Sequence, residues 1–242
     1  MLTAMVVALN AAAAIAVWWI LSSAAARSGL APDAARRFRI TAAIILAAWP
    51  AAALALAPPA ASLATADPYR LNPLIPAFLA GSVVAALAAL ALSRTLRRVL
   101  ASASVPALIA VQLFRVIGAV FLVLLAAGRL PAHFAKPAGW GDLAVSLSAP
   151  LVALALARGV RGARALAIAW SVLGLVDLIV AVGMGTGFLA PLLAPELGAR
   201  VPPVGAMGTF PMLIIPAFTV PLAVLLHLAA LGRLVRGPVS AG

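Results

Sequence analysis

The 242-residue chain is 66% hydrophobic and 9% charged, with a mean hydropathy of +1.20, so it has too little polar surface to stand in water and its solvent is lipid. A net charge of +12 would point to a polyanion partner in a soluble protein. Here the arginines stand in short clusters between apolar runs, where they hold helix ends at anionic headgroups, and nucleic acid is not an expected partner.

Seven apolar runs follow in chain order, at about 2–22, 40–58, 73–93, 104–128, 143–158, 165–186 and 211–232. Each is long enough, or nearly so, to cross a hydrocarbon core of about 30 Å. They predict an all-α polytopic membrane protein, a single seven-transmembrane-helix bundle over residues 1–242. The first run closes on small residues, Ser22 to Ala26, in the manner of a signal-peptidase site. It has no basic region before it and carries Arg27, Arg36, Arg37 and Arg39 after it, which is the flank of a retained span.

Orientation follows from the cations. The loops after spans one, three and five, with the tail, hold Arg27, Arg36, Arg37, Arg39, Arg94, Arg97, Arg98, Arg158, Arg161, Arg164, Arg233 and Arg236. The opposite loops hold Arg70, Arg129, Lys136 and Arg200. Twelve against four predicts an outer N-terminus and a cytoplasmic C-terminus. The Ala, Arg and Leu richness with few Lys suggests a GC-rich bacterial genome, and hence a bacterial inner (plasma) membrane. Two outer loops, 129–142 and 187–210, are rich in Pro, Gly and aromatic residues and read as irregular caps over the outer mouth. Trp140, Phe134, Phe188 and Phe210 read as interfacial anchors in them.

Span three opens Leu74-Ile75-Pro76-Ala77-Phe78 and span seven Ile214-Ile215-Pro216-Ala217-Phe218, both running inward, which suggests a 3+1+3 parallel repeat. In such a repeat Asn10 and Asp142 occupy similar places. The layout resembles, in architecture, SWEET-type sugar transporters and opsin-like seven-helix proteins. The Pro-Gln pair of the first is missing, and the ionisable residue of span seven is His227 rather than a lysine for a retinal Schiff base.

Charges at membrane depth cost about 2.5–3.5 kcal/mol each on insertion scales, so they turn inward and find partners. Arg115 in span four and Asp177 in span six both fall at roughly 16–18 Å depth and form a candidate ion pair. Gln112, three residues before Arg115, extends the polar patch. Structural glue between helices and a solute or ion site are the competing readings. Asp142, behind Gly139-Trp140-Gly141, is read as a helix N-terminal carboxylate, or with His133, Trp140 and Lys136 as an outer gate. His227 is a packing residue or a proton relay, and it shares no metal or haem site with His133, which stands in an outer loop. Prolines 76, 106, 150, 216 and 221 are expected to break helix hydrogen bonds and permit kinks.

No catalytic motif stands out, since the chain has no cysteine, no GxSxG, no HExxH and no P-loop, and an enzyme is the weaker reading. No cofactor and no metal are expected. The expectation is a membrane protein whose polar pocket at Gln112, Arg115 and Asp177 binds or moves a small solute or ion. The alternative is a non-transporting sensor or partner subunit acting through helix contacts. Candidate partners are the lipid bilayer, a small solute or ion, and another membrane protein or a second copy of the chain. Reporter tags fused to the two termini are expected to report opposite sides of the membrane; the same side for both contradicts the arginine count.

Overall fold

The computed structural model describes residues 2–55, 74–193 and 204–236. Among the described residues, seven helices are long and apolar enough to cross a membrane: α1 (Leu2–Arg27), α2 (Pro32–Ala55), α3 (Leu74–Leu92), α5 (Val105–Ala126), α6 (Ala132–Ala157), α7 (Ala163–Gly185) and α8 (Ile215–Arg236). Between α3 and α5 lies a short helix, α4 (Arg94–Ser102). The chain is thus an all-α seven-helix bundle. Arg70 and Arg200 lie outside the described residues.

Burial separates centre from rim. In α5 and α8 56% of the most apolar stretch is buried, against 11% in α2 and 6% in α3. The two central helices pack on each other, with α6 beside α5, α7 beside α6 and α8, and α1 to α3 on the other side. At the arginine-rich end, arginines donate to backbone carbonyls at helix termini: Arg164 Nε to Leu234 at 2.9 Å and Arg233 Nη1 to Leu100 at 3.0 Å. Arginines of the basic clusters therefore tie helix ends together.

Several expected boundaries move. Helix α2 begins at Pro32 rather than near 40, because proline suits a first turn and Asp33 favours a helix N-terminus, and Arg36 and Arg37 stand exposed on its early turns. Arg94, Arg97 and Arg98 lie on α4, whose first turn is capped by Ser93 Oγ accepting from Leu96 N at 3.1 Å. Pro106 sits in the first turn of α5, where its missing N–H leaves no gap, so it makes no kink.

The largest correction concerns 129–142. Its expected irregular cap is helix from Ala132 onward, with Pro131 in extended backbone just before the first turn and Pro137 inside the helix. Phe134 is no interfacial anchor: it is 5% exposed and packs on Phe121 with ring centroids 5.3 Å apart. Within 187–210, residues 194–203 lie outside the described residues, and the stretch from Val204 to Gly208 is buried. Val204 N donates to Gly185 O at 2.9 Å, and Met212 and Leu213 behind it are fully enclosed. Irregular backbone is tolerated here because protein, not lipid, surrounds it.

The start of α8, Ile215–Thr219, is wound as π-helix around Pro216. Trp49 Nε1 donates to the Ala217 carbonyl at 3.0 Å, and Thr219 Oγ1 donates to Asn10 Oδ1. Side chains from α1 and α2 thus satisfy groups on and beside the widened turn. The matching pentapeptides of α3 and α8 come to lie side by side, Ile75 and Phe78 packing with Leu213 and Ala217. Asn10 of α1 belongs to this region through its bond with Thr219.

Candidate functional site

The site grows from a local change of winding in α5. Residues Val111–Gly118 form a 3₁₀ segment, in which residues three apart eclipse one another. Gln112, Arg115 and Gly118 therefore stand in one line along the helix, and that line faces α6, α7 and α8. Gln112 is fully buried and donates from Nε2 to the Ala223 carbonyl of α8 at 3.0 Å.

Arg115, 1% exposed, is the hub. Its Nε donates to Asp142 Oδ1 of α6 at 2.7 Å, and Nη2 lies 2.6 Å from the same oxygen. Nη2 also pairs with Asp177 Oδ2 of α7. Nη1 donates to the Gly174 carbonyl at 3.4 Å and lies 3.3 Å from His227 Nε2 of α8. A guanidinium has donors only, so His227 Nε2 accepts and the neutral ring carries its hydrogen on Nδ1. The imidazole also lies against the Trp170 ring, centroids 5.1 Å apart, and Trp170 Nε1 is held by Ser148 Oγ at 2.8 Å.

Three glycines make this convergence fit. A Cβ at Gly118 would run into the Asp142 carboxyl group, one at Gly141 into Asp177, and one at Gly174 would stand 2.5 Å from His227 Cε1 and Nε2. Each partner of Arg115 thus rests against a position without a side chain, which lets the helices approach closely.

The formal charges do not cancel: one guanidinium faces two carboxylates, a surplus of one negative charge in a medium that solvates ions poorly. Asp142 also borders a cavity of about 70 Å³ toward the end away from the arginines. Phe121, Phe134, Leu178, Val182 and Met207 wall it, and Pro76 and Pro216 of the paired motifs face into it from α3 and α8. A larger groove of about 510 Å³ between α1 and α2 has no charged residue in its lining among the described residues.

Among the residues singled out from sequence, Gln112, Arg115 and Asp177 share this centre. Asp142 does too, inside α6 and not at a helix start as expected. His227 lies at the same centre, near the midpoint of α8. The outer gate does not assemble. His133 is roughly two and a half turns from Asp142 along α6, and Trp140 is 63% exposed on a different face. The glycines were not singled out, although Gly141 beside Asp142 and Gly174 three residues before Asp177 carry the necessary spacing.

Fold and site together define a multi-pass membrane protein with a charged centre shared by four spanning helices. The model of a family described as Domain of unknown function (DUF8737) matches residues 72–235, and the chain belongs to that family. The match takes in Arg115, Asp142, Asp177 and His227 and leaves out α1 and α2. Searches of curated proteins and of solved structures return no match.

Replacing Gly174 by Ala is expected to lower stability by about 1–3 kcal/mol through overpacking against His227. The same change at Gly81 of α3, where nothing lies within 4 Å, should leave stability level or raise it by up to about 1 kcal/mol. Thermal unfolding of the two variants in detergent reads the difference, and equal melting temperatures contradict the tight cradle.

Proposed function

We propose that the chain is a membrane protein that binds a small solute or ion at the Arg115 centre and moves it across a bacterial inner membrane, with its N-terminus outside. The observation that carries this reading is the uncancelled charge beside a cavity. Packing alone needs one carboxylate per guanidinium and no open space, whereas a binding site benefits from both. The winding of the backbone supports it: a 3₁₀ stretch in mid-helix and a π turn are common where a helix hinges or carries a site. The centre joins the two central helices to α6 and α7, so a change in its charge alters the packing of all four.

The test is charge displacement in proteoliposomes on a solid-supported membrane. Concentration jumps of protons, sodium, potassium, simple sugars and amino acids are applied in turn. At least one jump should give a transient current that Asp142→Asn abolishes. No current with any of them, together with stoichiometric co-purification of another membrane protein, contradicts the reading and favours a partner subunit.

A further inference from the structure

The centre shows more than a charge surplus. Among the described residues, three buried polar atoms beside it have no hydrogen-bond partner: Gln112 Oε1, Ser171 Oγ and His227 Nδ1. Gln112 and Ser171 are fully buried, and His227 is 1% exposed. Gln112 stands one 3₁₀ turn from Arg115, and its amide bonds Ala223, one turn from His227 on α8. Ser171 lies one turn before Gly174, whose carbonyl accepts from Arg115 and whose Cα adjoins the His227 ring. The unpaired atoms therefore gather on the arginine-rich side of Arg115, while the cavity opens to Asp142 from the other side.

Their chemistry suits water. The Nδ1–H of the ring is a donor, the amide Oε1 an acceptor and the hydroxyl both, which is the mixture a buried water needs. The titratable groups facing the centre are Arg115 from α5, Asp142 from α6, Asp177 from α7 and His227 from α8. Arginine stays charged in proteins, so exchange falls to the two carboxyl groups and the imidazole.

Resting on the solute or ion reading above, we propose that the ion is a proton, taken up reversibly by the Asp142 and Asp177 pair beside Arg115. A hydronium in the cavity gives its proton to a carboxylate oxygen. One O–H bond forms on the carboxyl, one breaks on the hydronium, and water is left behind. The formal charge of the centre goes from one negative to zero, and release reverses the step. A metal cation fits less well. Among the described residues the cavity walls are mainly apolar, Asp142 is the charged one, and Arg115 already occupies Asp142 Oδ1. A dehydrated metal ion asks for several oxygens at once, and a proton asks for one.

The test is infrared difference spectroscopy of the purified protein in lipid, between alkaline and acidic buffer, with a separate sodium jump at fixed pH. The wild type should gain a carboxylic-acid C=O band on acidification, and Asp142→Asn and Asp177→Asn should each lose or shift it. The second variant serves if the first does not fold. Ser171→Ala removes an unpaired hydroxyl, should fold normally, and should perturb the water O–H bands that accompany the change. No acid band in the wild type, or a band that both Asn variants leave untouched, overturns the proposal. Carboxylate bands that answer sodium but not acid overturn the proton while leaving the ion reading intact. Silence to both, with no current in the jump experiments, removes both.

Discussion

A guanidinium in the middle of a bilayer has no water to turn to, and this constraint organises the bundle. Arg115 has several donors to satisfy, and α5 cannot satisfy them alone, because its own carbonyls are engaged in backbone bonds. The partners come from α6, α7 and α8, as two carboxylates, one carbonyl and one imidazole nitrogen. Three helices are thereby fixed in depth and rotation against a fourth. The glycines at 118, 141 and 174 are the steric consequence, since a converging centre of charged groups leaves no room for neighbouring side chains. Hydrophobic packing adds little direction in lipid, where tails are as apolar as the helices, so polar contacts and close backbone approach carry more of the specificity.

The departures from regular helix lie where this centre and its cavity need them. The 3₁₀ stretch of α5 puts Gln112, Arg115 and Gly118 on a single line, whereas regular α winding would spread them around the helix. The π turn at Ile215–Thr219 places Pro216 against the cavity, and neighbouring Trp49 and Asn10 bond to the turn. The buried stretch from Val204 to Gly208 closes the bundle on the same side. Charge, cavity and irregular backbone therefore occur together within α3 to α8, the part that the family match covers.

Much of the fold was legible in the sequence, because spans advertise themselves by length and hydropathy. All seven were placed, and Arg115 and Asp177 stood out as charges inside apolar runs. What was not legible arose from reading local chemistry as boundary. Pro137 and the Gly139-Trp140-Gly141 stretch read as loop, so Asp142 was put at a helix start. In the structure the same glycines are there for packing, and the helix runs through them. Phe134 looked like an interfacial ring for the same reason. The meeting of Asp142 with Arg115 depends on how two helices rotate against each other, and a linear pattern of residues does not carry that angle.

Arg115 holds charges the membrane does not otherwise accommodate, and comparing Arg115→Gln with the triple variant that also carries Asp142→Asn and Asp177→Asn, by thermal unfolding in the same lipid, tests this most directly. Removing the guanidinium alone leaves two buried carboxylates without a cation, so a loss of about 3–5 kcal/mol is predicted, and neutralising both partners should restore most of it. A melting temperature unchanged by Arg115→Gln, or a triple variant less stable than the single one, would contradict it.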